Sequence, residues 1–227
     1  METLFHQIRE LLNPKVIIET LLVKGGVFVY LGLIFIIFAE TGLAVGFFFP
    51  GDSLLVVAGL FAAAGKLNVF VLLLTLFIAA VVGDAVGYYT GLKAGPRIFS
   101  RQKSLLFKPS HLQKAHAFYE KYGGKTIIIA RFVPIVRTFA PIVAGAADMP
   151  YRRFFMFNVV GGFLWVTSMI LAGYFLGGAV ERAFGIRLDD HIEKVVIVVV
   201  LLSLLPPFIE WLKSRREKRI KAEAEGV

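Results

Sequence analysis

Five ionisable side chains fall inside the apolar segments of this 227-residue sequence: Glu40, Asp52, Asp84, Arg131 and Arg137. A charge at the centre of a bilayer costs about 2.5–3.5 kcal/mol on insertion scales. Four such charges facing lipid would cost on the order of 10 kcal/mol, as much as the whole stability of a typical domain. We therefore expect these side chains to be paired, hydrated or neutralised, and to be functional.

The two arginines have the chemistry of a phosphate site, because a guanidinium binds phosphate through two parallel hydrogen bonds. Arg131 and Arg137 would lie about 240° apart on a straight helix, but Pro134 between them breaks that geometry. Both guanidiniums can then face one cavity, and we predict that Arg131 and Arg137 bind the substrate. The alternative is that they form structural salt bridges with Glu40 and Asp52.

The acidic side chains have a predicted role of their own. In a transporter, carboxylates can hold the arginines while the site is empty and take up protons or sodium ions when the substrate arrives. We assign this ion-coupling role to Glu40 and Asp52. Simpler alternatives stay open: Glu40 could reach interfacial water, Asp52 could cap the helix after Pro50-Gly51, and Asp84 could make a structural hydrogen bond.

Composition places the chain among membrane proteins. Hydrophobic residues make up 57% and charged residues 18%, against about 45–50% and about 25% in soluble domains. These values argue against a disordered chain and an ordinary soluble enzyme. Cysteine is absent, which excludes a disulfide framework and a thiolate metal site. The net charge of +9 is what basic cytoplasmic loops give a membrane protein, so we predict no nucleic-acid partner. No motif indicates a metal or cofactor.

Hydropathy predicts an all-α polytopic membrane protein. A spanning helix needs about 20 apolar residues, and four segments qualify: 26–45, 67–92, 154–180 and 192–212. Two further apolar stretches, 46–65 and 126–147, are interrupted by prolines and charges, and we predict that both are re-entrant helical hairpins. A transmembrane domain over residues 25–212 then lies between an amphipathic segment at 1–24 and a basic tail at 213–227.

Loop charges orient these segments. The loop at 93–125, which we predict to contain an interfacial helix, carries eight basic residues against one acid, so the positive-inside rule places it in the cytoplasm. The basic tail and the N-terminus lie on the same side. The two hairpins then enter from opposite faces and meet near the midplane, which is the inverted-repeat pattern of secondary transporters.

These motifs resemble the DedA family of bacterial inner-membrane proteins, also called the SNARE-associated or VTT-domain superfamily. The strongest match is the block Arg131-Phe-Val-Pro134-Ile-Val-Arg137-Thr138, followed by Ala144-Gly145. Further matches are Glu40, Phe49-Pro50-Gly51-Asp52, Gly83-Asp84, Gly87-Tyr88, Phe154, Asn158, Gly161 and Trp165.

The resemblance implies movement of lipids between leaflets. Members of the family are linked to recycling of undecaprenyl phosphate, to translocation of phosphatidylethanolamine and to homeostasis of the proton-motive force. It also implies that the residues matching Glu40, Asp52, Arg131 and Arg137 are required. We expect supporting roles for the residues around them: Pro50, Gly51, Asp84, Pro134, Thr138 and Gly145.

Four functions compete for this sequence. The leading one is a flippase for a phosphate-bearing lipid, and the second is a proton- or sodium-coupled carrier of a small solute. A lipid phosphatase is disfavoured, because no cysteine and no histidine falls within the predicted membrane core to supply a nucleophile–base pair; we therefore expect no enzyme. The fourth is a structural or chaperone-like membrane protein. The lipid, the coupling ion, the direction of transport and assembly into a homo-oligomer stay open.

Overall fold

The computed structural model describes residues 14–23, 26–43, 51–98 and 124–184. Several predictions fall outside these residues. They are the amphipathic segment before residue 14, the first hairpin's entry at 44–50 with Pro50, the interfacial helix within 99–123, the span at 192–212 and the basic tail.

Within the described residues the chain forms seven α-helices and no strand, as the prediction of an all-α protein requires. They are α1 (Pro14–Val23), α2 (Gly26–Gly42), α3 (Gly51–Ala63), α4 (Val69–Ile98), α5 (Lys125–Ala130), α6 (Pro134–Ala146) and α7 (Tyr151–Phe184).

Two of these helices, α4 and α7, are long and apolar enough to cross a membrane. Their apolar portions, Val69–Ala94 and Tyr151–Ala179, contain 26 and 29 residues, or about 39 and 44 Å at 1.5 Å per residue. They overlap the predicted spans at 67–92 and 154–180 at all but one or two residues. Helix α2, in the predicted span at 26–45, has 17 residues and is about 26 Å long.

Helix α3 is short and almost wholly enclosed. Its 13 residues extend about 20 Å, and all but two of them, Asp52 and Ala63, are buried. A turn at Gly65, whose φ is +72°, leads into α4. There the Asn68 carboxamide oxygen accepts from the N–H groups of Phe70 and Val71 (2.9 and 3.2 Å), as an N-cap residue does.

The second predicted hairpin is a broken helix. Helix α5 ends at Ala130, residues 131–133 form a turn, and α6 begins at Pro134. Val133 is extended (φ −111°, ψ 107°), as the residue before a proline prefers to be. The break at Pro134 is where the sequence predicts it, whereas Pro141 lies inside α6.

Helix α4 is the centre of the packing and contacts α2, α6 and α7, while α3 lies along α7. Small residues on α4 allow the close approach. A Cβ at Gly83 would overlap the Thr41 hydroxyl of α2, and one at Gly91 would overlap the backbone of α6 at Ile142. Gly83 and Gly91 of α4 therefore serve helix packing.

Candidate functional site

Arg137 lies in the first turn of α6 and joins two acidic side chains from other elements. Its Nη2 donates to Oε1 of Glu40 at 2.6 Å, and its Nη1 donates to Oδ1 of Asp52 at 2.5 Å. Glu40 comes from the end of α2 and Asp52 from the first turn of α3. Arg137 and Glu40 are 3% and 1% exposed, whereas Asp52 is 29% exposed. Three segments that are far apart in sequence thus meet in one ion-pair cluster.

The carboxylate of Asp52 faces Arg137 from within the helix. Asp52 lies inside the first turn of α3, and its Oδ1 accepts from Arg137 and from the indole N–H of Trp165 (2.8 Å). The alternative of a capping residue is thus not what the structure shows. Nor does Glu40 reach interfacial water, because its side chain is buried against Arg137.

Gly51 makes room for the Glu40 carboxylate. A Cβ added to Gly51 would overlap the carboxylate oxygens of Glu40, so a larger residue would displace the acid that Arg137 binds. Within the described part of the chain, the second oxygen of Glu40, Oε2, is buried and has no hydrogen-bond partner. The carboxylate therefore retains an acceptor.

Arg131 belongs to a separate cluster in the turn between α5 and α6. Its Nη2 donates to Oδ2 of Asp84 on α4 and to Oδ1 of Asn158 on α7. The Asn158 Nδ2 in turn donates to the carbonyl of Val81 at 3.0 Å, which fixes the orientation of the amide. Arg131 and Asp84 are 2% and 1% exposed. Arg131 is therefore not bound to Glu40 or Asp52, and the alternative of salt bridges from both arginines to these two acids holds for Arg137 only.

Two glycines of α7 form the slot for the Arg131 side chain. A Cβ at Gly161 would lie 3.1 Å from Cδ of Arg131, and one at Gly162 would lie 3.5 Å from its Nη2. A contact of 3.1 Å is tight, so a side chain at Gly161 would require the Arg131 stem to shift by a few tenths of an ångström. The slot brings the arginine stem against the backbone of a helix long enough to span the membrane.

Trp165 of α7 lies against both guanidiniums. Its ring centroid is 4.5 Å from Cζ of Arg137 and 5.9 Å from Cζ of Arg131, both within about 6 Å, the range of cation–π attraction. The two arginines thus lie in separate ion-pair clusters that share one aromatic ring, rather than side by side in one cavity.

Among the described residues, the charges of the two clusters do not cancel. One guanidinium faces two carboxylates in the Arg137 cluster, and one faces one in the Arg131 cluster. With all five groups ionised, two positive and three negative charges leave a net charge of −1. Several donors also have no hydrogen-bond partner among the described residues: Nε and Nη1 of Arg131, and Nε of Arg137. The site can therefore bind a further anion through the arginines and a cation at the acids.

The predicted supporting residues have distinct positions. Thr138 follows Arg137 in α6, and its side chain is buried. Gly145 allows α6 to approach α4, since a Cβ there would overlap the carbonyl of Tyr88. Pro134 starts α6, Asp84 binds Arg131, and Pro50 lies outside the described residues.

Two site residues, Asn158 and Trp165, receive no role from the sequence. The signal for Asn158 is an amide within an apolar helix, where a polar side chain needs a partner. The signal for Trp165 is its position. Tryptophan is enriched at the membrane interfaces, whereas Trp165 lies at the middle of the apolar portion Tyr151–Ala179.

Known proteins and one protein family match most of the chain. The VTT domain family matches residues 49–175. Protein DedA of Escherichia coli (strain K12) is 44% identical over 218 residues, which cover 95% of this chain and 97% of that protein. An uncharacterized membrane protein of Mycobacterium leprae is 39% identical over 84% of this chain and 82% of its own. The inner membrane protein YqjA of E. coli K12 is 38% identical over 78% and 79%. No solved structure matches the chain.

Proposed function

Since the chain belongs to the DedA family of membrane proteins, we propose that it is a transporter that moves a phosphate-bearing lipid between the leaflets of the membrane. The substrates to which the family resemblance leads are undecaprenyl phosphate and phosphatidylethanolamine. In this proposal Arg131 and Arg137 bind the phosphate, and Glu40 and Asp52 couple its movement to a proton or sodium gradient.

The observation that carries the proposal is the buried Arg137 between Glu40 and Asp52. A guanidinium held by two carboxylates can exchange them for a phosphate, because both kinds of acceptor fit the same planar fork. Asp52 is the most exposed member of the cluster, so the exchange would begin on its side. A phosphate held this way remains within the protein, while the hydrocarbon tails stay in lipid.

Charge balance supports coupling to a cation. With all five groups ionised, the described ion pairs leave a net charge of −1, and a phosphate would make the buried site more negative. Burying unpaired charge is costly. Uptake of one cation by Glu40 or Asp52 would offset the phosphate charge, and Oε2 of Glu40, unpaired among the described residues, would accept it.

The proposed arrangement in the membrane is an inverted repeat of two re-entrant hairpins, with both termini in the cytoplasm. Helix α3 is about 20 Å long, too short for about 30 Å of hydrocarbon, and Asp52 lies at its N-terminal end. The second segment is broken at residues 131–133, a turn that begins with Arg131 and precedes the helix that carries Arg137. A bacterial inner membrane is the proposed location, in line with the relative named inner membrane protein YqjA.

We further propose that the chain binds and releases its substrate without cleaving a bond. The two clusters consist of carboxylates, guanidiniums, an amide and an indole. Such groups bind and orient a phosphate. A carboxylate can also act as a nucleophile, but Glu40 and Asp52 are each held by Arg137. Incubation with the lipids and measurement of released inorganic phosphate would test this.

The test of the main proposal is leaflet exchange in proteoliposomes. The wild type, Arg131→Ala and Arg137→Ala are each assayed with undecaprenyl phosphate and with phosphatidylethanolamine, with and without a pH or sodium gradient. Arg152→Ala is the matched control, because Arg152 is an exposed arginine of α7. We expect exchange by the wild type and the control, and loss in folded variants of the two buried arginines.

Failure of every lipid under every gradient would refute the lipid-transport proposal. A coupled carrier of a small solute would then be the better explanation of the same charges, and uptake of a small phosphate-bearing solute into the same vesicles would be measured next. Exchange that persists in both buried-arginine variants would contradict the assignment of the phosphate site.

A further inference from the structure

Trp165 combines complete burial with a position where tryptophan is uncommon. It is 0% exposed and lies at the middle of the 29-residue apolar portion of α7. A tryptophan in a membrane protein is enriched where its N–H can reach water. Here the N–H finds a protein acceptor instead, so its role concerns the interior of the molecule.

The acceptor is the oxygen that also binds Arg137. Oδ1 of Asp52 accepts from Nε1 of Trp165 at 2.8 Å and from Nη1 of Arg137 at 2.5 Å. The same indole ring lies 4.5 Å from Cζ of Arg137. Trp165 therefore contacts both members of one ion pair, the carboxylate through its N–H and the guanidinium through its ring.

These contacts matter when the ion pair separates. If Arg137 turns toward a phosphate, Oδ1 of Asp52 loses one of two donors. The indole N–H is a donor only, and indole has no lone pair with which to bind a cation. The buried ring is held in place by packing. The N–H can therefore stay on Asp52 after the guanidinium has left, so the carboxylate is not stranded without a donor.

We propose that Trp165 is a positioning residue of the transport site, which holds Asp52 by its indole N–H and Arg137 by its ring while Arg137 exchanges the carboxylate for the substrate phosphate. This inference rests on the proposed function. The ring also lies 5.9 Å from Cζ of Arg131, so a movement of Trp165 would affect both arginines.

The first test is Trp165→Phe, which keeps an aromatic ring over Arg137 and removes the N–H. Hydrogen bonds to charged groups have strengths that correspond to a fall of about 10- to 100-fold when they are lost, and we expect a fall of this size in lipid exchange. Phe163→Leu is the control on the same helix, because Phe163 is 56% exposed, and it should exchange lipid at the wild-type rate.

The second test is spectroscopic, because a purely structural role of Trp165 would not make its emission respond to a phosphate-bearing lipid. The chain has two tryptophans, so Trp211→Phe leaves Trp165 as the sole indole. Dioctanoyl phosphatidic acid should change the emission of Trp165 saturably, because the phosphate replaces the Asp52 carboxylate on the guanidinium that lies over the ring. Dioctanoylglycerol, which lacks the phosphate, should not change the emission. The change should be absent when Arg137→Ala is added.

The outcomes separate the two proposals. Wild-type exchange by Trp165→Phe would overturn the positioning role and leave the lipid transporter standing. Loss of exchange together with unchanged Trp165 emission on addition of phosphatidic acid would mean a packing role, which also overturns it. Absence of exchange in the wild type, with no emission change, would overturn both. Support requires the loss, the emission change and a silent Phe163→Leu control.

Discussion

Arg131 offers a test that separates folding from function. Its guanidinium and the Asp84 carboxylate form a buried pair with 2% and 1% exposure. Removing one partner of such a pair costs about 3–5 kcal/mol, because the other charge stays buried and uncompensated. For a chain of this length that corresponds to a fall in Tm of about 6–20 °C, at 2–4 °C per kcal/mol. We therefore expect Arg131→Met to unfold well below the wild type in detergent.

The double variant Arg131→Met with Asp84→Leu removes both charges. Apolar replacement of a whole buried pair is often neutral or stabilising. The remaining cost comes from Oδ1 of Asn158, which loses its guanidinium donor, at about 1–3 kcal/mol for an unsatisfied buried acceptor. The double variant should thus recover part of the Tm lost by the single one, and the exposed Arg152→Met should change stability by less than about 0.5 kcal/mol.

Thermal unfolding and lipid exchange are then measured on the same preparations. Because we propose that Arg131 binds phosphate, we expect exchange to stay at least about tenfold below the wild type in the double variant although stability recovers. Recovery of exchange together with stability would show that Arg131 only balances Asp84. The energetic reasoning itself would be refuted if Arg131→Met were as stable as the wild type, or if the double variant were less stable than the single one.

Three further predictions concern single contacts. Gly51→Ala should reduce exchange at least about tenfold, because a Cβ would overlap the Glu40 carboxylate, whereas Gly178→Ala, with nothing within 4 Å of the added Cβ, should exchange lipid normally. Arg137→Lys should also lose exchange in the same assay, because a lysine ammonium lacks the planar fork that binds Glu40 and Asp52 together; wild-type activity would argue against a bidentate site. Asn158→Leu should lower stability by about 1.5–3 kcal/mol through loss of its bond to Arg131, as measured by denaturant unfolding; an unchanged midpoint would contradict this.

The sequence offers Glu40 and Asp52 as possible partners of the two arginines from one physical rule, that charges in an apolar chain must find partners, and this is confirmed for Arg137. It also predicts the break at Pro134, because a proline removes a helical hydrogen bond and constrains the residue before it. The long helices α4 and α7 follow from hydropathy alone. These features depend on local composition or on a requirement that holds whatever the tertiary arrangement is.

The pairing of Arg131 could not be obtained in this way. Arg131 is the first residue of the turn after α5 and Arg137 lies in the first turn of α6, and the two guanidiniums reach different acids. Which acid each one meets depends on how α4 and α7 pack around the turn. The slot at Gly161 and Gly162 that admits Arg131 is a property of that packing, and no spacing rule predicts it.

The two clusters also link parts of the chain that would move relative to one another in the proposed transporter. Arg137 connects α6 to the first half of the chain through Glu40 and Asp52, while Arg131 connects the α5–α6 turn to α4 and α7. A phosphate that replaces the Asp52 carboxylate on Arg137 removes the ion pair that joins α6 to α3 among the described residues. Substrate binding would then weaken the attachment of these short helices while the Arg131 cluster still holds the turn to α4 and α7. We therefore expect α3 and α6 to separate during transport, and the turn at Arg131 to remain fixed.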